Sequence, residues 1–427
     1  MAVTTINKSV LGNGIRILTK KMPYMRSVSM GIWVDAGARD ESADESGLSH
    51  FIEHMLFKGT HKRNAFQIAK EFDAIGGQTN AFTSMEKTCF HARVADEHLA
   101  TMFDVLSDIL LNSRFETQEI ENERPVILQE ISMQQDSPDE YVHYLCTKNF
   151  WGDTPLGRSI LGKRENVSTY DNHAIRNFFQ RAYQPERIII SAAGNLDHTR
   201  FTDMIEPLFN RFARFDSDEG TRPPLTWPER RTPPDHRTVN LHFRKLEQAH
   251  IIIATPGIAI TDSRRYAFSL MNTLLGGNMS SRLFQEVRER RGLAYAVYSF
   301  LASYADTGMF AVYAGVAPDN VNETIRLIIA EMRNLKNKRI SNDELVRAKE
   351  FTKGNLVLAS ESNDNQMVRL AQNEFNLKRQ TPLKEVVAKI EAVTTEDIIE
   401  LARSLFQLSQ PSLTVLGPVT ESDLGQI

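Results

Sequence analysis

Apolar positions along this chain follow two different periods, and where the period changes, an element boundary is expected. SVLGNGIRILTK sets two strand-like runs about an Asn13-Gly14 turn, which predicts a hairpin, and SVSMGIWVDAGARDE continues as a strand. LSHFIEHMLF switches to helical spacing from a start between residues 46 and 49, and FQIAKEFDAIGG reads as a second helix closed by Gly76 and Gly77. NAFTSMEKTCFHARV returns to a strand. DEHLATMFDVLSDILL then carries the i, i+3, i+4 spacing of an amphipathic helix. FETQEIENERPVILQEISMQQ is helical in pattern except at Pro125, where a kink or break is expected. The strand RIIISAAGNL and the helix HTRFTDMIEPLFNRF close the first half.

Residues 213–237 change character, with Pro223, Pro224, Pro228, Pro233 and Pro234 set among charges and no apolar period, so this stretch predicts a linker. Beyond it the same order recurs: AHIIIATPGIAI as strand, YAFSLMNTLLGG and SSRLFQEVRERRG as helices, LAYAVYSFLASY and GMFAVYAGV as strands, then two long helices and a terminal strand, SLTVLGPV, that matches RIIISAAGNL. The repeat predicts a duplicated α+β unit, with one domain over 1–212 and a homologous one over 238–427. A length of 427 residues fits two domains rather than one core.

Fifty basic against 54 acidic residues leave a formal charge of -4, without the positive field that nucleic-acid binding needs. The first residues, MAVTTINKSVLGNG, show no apolar core or cleavage site, and no uncharged apolar run approaches a membrane span. Two cysteines, Cys89 and Cys146, cannot build a disulfide framework and read as buried structural thiols. A cytoplasmic setting is expected, or an organelle matrix if a presequence has been removed.

Chemistry concentrates in His50-Phe51-Ile52-Glu53-His54. Histidines four apart on a helix project from one face within reach of one cation, and Glu53 on the same side can take a proton from water that the metal activates. The order inverts the commoner His-Glu-x-x-His and is that of the inverzincins. A third ligand is still required if one coordination position is to stay open. In EIENERPVILQEI, Glu119, Glu123 and Glu130 fall near helical multiples, and Glu130 is the candidate; a plain solvated acidic face has the same spacing.

GLSHFIEHMLFKGT, GGQTNAFTSMEKTCFHA, ENERPVILQEI, TPLGRSILG and GGNMSSRLFQEVRERRGLAY together resemble the pitrilysin-like zinc peptidases, most closely the catalytic subunit of the mitochondrial processing peptidase and its bacterial relatives. That resemblance implies one Zn2+ per chain on His50, His54 and Glu130, Glu53 as general base and Glu123 as a supporting carboxylate. It implies that Arg288 and Tyr295 contact substrate and the developing oxyanion, and that substrate adds as a strand beside Asn80, Ala81, Phe82 and Thr83. Where the first half has its zinc helix, the second reads Phe268-Ser269-Leu270-Met271-Asn272, with Asn355 at the place of Glu130, so the duplicate is expected to be metal-free. Each half is expected to be a mostly antiparallel sheet backed by helices. Larger relatives carry four such units facing across a chamber; two units imply a dimer, with itself or with an inactive homologue. Expected activity is endopeptidase cleavage of unfolded peptides or targeting-type presequences, the alternative being a catalytically silent core or scaffold subunit.

Overall fold

The computed structural model describes residues 5–212, 230, 238–338, 340–406, 408 and 411–424; apart from Arg230, the expected linker 213–237 lies outside them. Contacts divide the chain into two α+β units, as far as their residues are described. The first comprises Met1–Ile131, Arg158–Glu229 and Leu358–Gln380; the second comprises Ser132–Gly157, Arg230–Val357 and Thr381–Ile427.

In the first unit six strands, β1 (Ile6–Val10), β2 (Arg16–Lys21), β3 (Ser27–Val34), β4 (Gln78–Thr83), β5 (Thr88–Ala95) and β6 (Ile188–Gly194), form one sheet in the order β1-β2-β6-β3-β5-β4. Every neighbouring pair is antiparallel except β2 and β6. The apolar runs of β3 and β6 are explained by burial on both faces. Val28, Met30, Ile32, Ile188, Ile190 and Ala192 point into the larger core, beneath helices α1 (Leu48–Leu56), α2 (Ala65–Ala74) and α3 (Leu99–Leu111). The alternate positions Trp33, Ile189 and Ala193 face the other way and are covered by Met367, Leu370, Ala371 and Phe375 from the helix Asn363–Leu377. A segment from late in the sequence thus completes the first unit, and Cys89 is buried in the same layer.

The stretch 80–94 is a hairpin rather than one strand. The Ser84 amide donates to the Lys87 carbonyl and Ser84 Oγ accepts from the Lys87 amide, so the tetrad Ser84-Met85-Glu86-Lys87 turns the chain and β4 pairs back on β5. The break expected at Pro125 does not occur: α4 (Thr117–Asp136) runs unbroken through it. Its missing amide frees only the Glu121 carbonyl, and both residues are exposed, so water can satisfy that group while Ile120, Ile127 and Ile131 keep the helix seated on the core.

The second unit has five strands, β7 (Val239–Phe243), β8 (Ala249–Pro256), β9 (Ala294–Ser303), β10 (Gly308–Val316) and β11 (Ser412–Gly417), in the order β7-β11-β8-β10-β9 with β7 and β11 parallel. Substituting β7 for β2, β11 for β6, β8 for β3, β10 for β5 and β9 for β4 reproduces the first sheet apart from its edge strand β1, so the duplication holds at the level of topology. The helix Pro138–Trp151, from early in the sequence, packs on β8 and β11 of this unit and buries Cys146.

Candidate metal and catalytic site

Helix α1 is fixed at its start by an unusual cap. Glu41 is buried; its Oε2 accepts the Gly47 amide at 2.8 Å and its Oε1 the Ser49 amide at 2.7 Å, satisfying donors that a helix N-terminus leaves open. Burial pushes this carboxyl up to about 8 in pKa, against the opposing pull of those amides. Gly47 sits at φ +104, and a Cβ there would stand 2.9 Å from the Gly162 Cα, so a left-handed turn in close contact with the TPLGRSILG loop demands glycine. The face carrying Leu48, Phe51, Ile52, Met55 and Leu56 enters the core, which turns His50, Glu53 and His54 toward α4 and β4.

The two imidazoles meet edge to face with Nε2 atoms 3.2 Å apart, and Glu130 Oε2 lies 3.5 Å from His50 Nε2 and 3.6 Å from His54 Nε2. Among the described residues this is the one group of three such side chains whose ligand atoms converge. Ligands about 2.0–2.1 Å from a tetrahedral Zn2+ stand roughly 3.3 Å from each other, so the triangle has the dimensions that cation requires. Its chemistry fits as well. Two imidazole nitrogens and a carboxylate oxygen directed at one another repel unless a cation, metal or proton, lies between them.

His54 Nδ1 lies 2.8 Å from Glu123 Oε1, and Lys58 Nζ holds the other Glu123 oxygen at 2.5 Å. Glu123 is buried and, despite that burial, its carboxyl is held below the usual range by the bonds to His54 and Lys58. Burial opposes charge on His54, but the Glu123 bond and the charges of Glu130, Glu123 and Glu53 outweigh it and raise its pKa. His50 behaves in the opposite way: burial first, then the neighbouring His54, pushes it down to about 3, which keeps its ring neutral. Its Nδ1 is buried without a hydrogen-bond partner among the described residues. Glu53 is half-buried, and burial raises its carboxyl although the Thr83 hydroxyl, 2.6 Å from Oε2, pulls it down.

His50, Glu53, His54, Glu123 and Glu130 therefore come together, while Glu119 stands outside the converging group. Asn80, Ala81, Phe82 and Thr83 all lie on β4, at the edge of the first sheet. Arg288 and Tyr295 belong to the second unit, where the guanidinium carbon of Arg288 lies 4.9 Å from the Tyr295 ring centroid and 4.7 Å from that of Phe284. Tyr295 is 79% exposed, which rules out a core role. Lys58 and Glu41 escaped the sequence reading; Lys58 follows His54 by four residues, the one signal that could have placed it on the same face. On the second-unit helix Arg265–Leu275, which follows β8 as α1 follows β3, the aligned positions are Phe268, Ser269, Leu270, Met271 and Asn272. None of these is a histidine or a carboxylate.

Residues 16–164 match the family described as Insulinase (Peptidase family M16), and residues 171–351 match the Peptidase M16 inactive domain. A protein named an uncharacterized zinc protease from Streptomyces coelicolor is 39% identical over 425 residues, spanning 100% of this chain and 92% of its own. The uncharacterized zinc protease YmxG of Bacillus subtilis is 38% identical over 401 residues, 94% of this chain and 96% of its own. In fold, a protease from Helicobacter pylori superposes with a TM-score of 0.89 at 19% identity, covering 97% of this chain and 100% of that one. Alignment of this strength along the whole length, in both units, places the chain in peptidase family M16, the pitrilysin-like peptidases.

Proposed function

We propose that the chain is a zinc metalloendopeptidase acting on unfolded peptides or targeting-type presequences. The observation that carries this reading is the convergence of His50 Nε2, His54 Nε2 and Glu130 Oε2 within 3.2–3.6 Å of one another, with Glu53 on the same helix face. The names of the Streptomyces and Bacillus relatives favour zinc over other cations. These three side chains would hold one Zn2+, and when bound the metal supplies Lewis acidity toward the peptide carbonyl and makes water acidic enough to react near neutrality.

The remaining work falls to the chain's own residues. Glu53 accepts a proton from the attacking water and returns one to the departing amine, and a carboxyl raised above its ordinary value is suited to both directions. Glu123 accepts His54 Nδ1–H, which leaves Nε2 with its lone pair free for a ligand's role. Among the described residues β4 pairs with β5 on one side only, so its other edge offers backbone groups from Asn80 to Thr83 to an extended peptide, which gives affinity with little sequence preference. Arg288 and Tyr295, a cation stacked on an exposed phenol, are the second unit's candidates for contact with substrate and oxyanion. A dimer, with itself or with an inactive homologue, belongs to the same proposal.

A silent scaffold subunit is the second reading, favoured only by the match of residues 171–351 to a domain described as inactive. Metal analysis and peptide-library cleavage with parent and variants separate the two. Glu53→Gln should keep zinc and lose at least about a thousandfold in turnover, whereas His50→Ala, His54→Ala and Glu130→Ala should each lose metal as well. A parent chain that binds no zinc and cleaves nothing would establish the silent reading.

A further inference from the structure

The hydrogen bond that fixes Glu53 comes from the sheet, not from its own helix. Thr83 Oγ1 donates to Glu53 Oε2 at 2.6 Å, and among the described residues the only other acceptor near that hydroxyl is the Ser49 carbonyl at 3.5 Å, so its single proton is committed to Glu53. Thr83 ends β4. Along that strand Thr79, Ala81 and Thr83 are the partly buried positions and Gln78, Asn80 and Phe82 the exposed ones, so Thr83 turns inward. Its backbone is held in register opposite Thr88, and the neighbouring Phe82 packs edge-on against Trp33 at 5.6 Å. β-Branching stiffens its χ1 as well.

A glutamate with three side-chain torsions would otherwise swing over a range wider than proton transfer tolerates. We propose that Thr83 is a positioning residue: its hydroxyl anchors Glu53 Oε2 so that Oε1 remains the oxygen presented to the reacting proton. The inference rests on the peptidase reading and assigns the Thr83 side chain a task separate from any pairing of its backbone with substrate. Backbone pairing would act on KM and would survive a change of side chain. Anchoring of the base acts on kcat; the Thr83 backbone also pulls on the Glu53 carboxyl, and a change of side chain removes the hydroxyl's share.

The test compares Thr83→Val, Thr83→Ala and Thr83→Ser with the parent chain in the zinc-loaded state, measuring kcat and KM on a fluorogenic peptide together with zinc content. Thr83→Val and Thr83→Ala should each lower kcat about 10- to 100-fold, leave KM within about twofold and keep the parent's zinc content, while Thr83→Ser recovers kcat to within about threefold. Should the valine variant fail to fold, the alanine and serine pair carries the same comparison. Parental kcat without the hydroxyl, a loss confined to KM, or serine as damaging as alanine would overturn the inference while the peptidase reading stood. An inert parent chain would overturn both.

Discussion

His54 Nδ1 and Glu123 Oε1, 2.8 Å apart, determine which face of the imidazole is free, because a neutral ring that donates from Nδ1 keeps its Nε2 lone pair. The partnership is a chain of three, since Lys58 holds the second carboxylate oxygen at 2.5 Å. Removing Glu123 leaves His54 free to change tautomer and Lys58 without its counter-charge. Glu123→Ala should therefore weaken zinc binding about 10- to 100-fold, read by competition with a chelator of known affinity. Affinity equal to the parent's would show that the carboxylate orients nothing.

Metal removal should abolish peptidase activity without unfolding the first unit. The ligands lie on the faces of α1 and α4 turned away from the apolar core, His50 buried there, while the opposite faces bury Phe51, Ile52 and Met55, and Ile120, Ile127 and Ile131, in a core that includes none of the ligands. A chelated sample should keep a cooperative thermal transition and regain activity when zinc is restored. Loss of the transition on chelation would make the ion structural.

Pro125 is an unforced cost in α4. Restoring its amide would give the exposed Glu121 carbonyl its helical partner, so Pro125→Ala should stabilise the chain by about 1–3 kcal/mol, less what the freer unfolded chain takes back. Urea unfolding followed by far-UV circular dichroism measures it. Destabilisation instead would mean that the ring is needed where it is, with Glu130 one and a half turns further on and the first place to look for displacement.

The sequence disclosed most where a single element decides the outcome. His50 and His54 share a face because any helix puts i and i+4 together, and Glu123 and Glu130 share one because seven residues make two turns. Across elements it disclosed much less. Thr83 meets Glu53 through the pairing of β4 with β5 and the packing of α1, 30 positions away in sequence, and no local period encodes that. Neither does the helix Asn363–Leu377 announce which sheet it covers; its apolar stripe of Met367, Leu370, Ala371 and Phe375 would fit any buried face. The 80–94 hairpin was obscured because its turn carries no glycine or proline, only Ser84 with its side-chain bond to the Lys87 amide. At Pro125 the local rule predicts a break, but the freed carbonyl is exposed to water and the helix continues.

Without metal, the two histidines should impose opposite pH dependences on stability. His50 has a folded pKa near 3 against an ordinary 6.5, so the fold prefers its neutral ring; that contribution is present above about 6.5 and is lost as pH falls from there toward 3. By pH 5 the loss is about 2 kcal/mol, and for the full shift the ceiling is about 5 kcal/mol. His54 is raised, so its contribution is complete below 6.5 and is lost as pH rises through its folded value. Relative to the metal-free parent, His50→Gln should become steadily more favourable between pH 8 and pH 5, and His54→Gln steadily less favourable, since at acid pH it leaves Glu123 and Glu130 without the imidazolium between them. Urea melts of chelated parent and variants at pH 5, 6.5 and 8 give both slopes. If the two variants shifted in the same direction with pH, the site would not be dividing its histidines into a neutral and a protonated ring, and the proton could not be standing in for the cation.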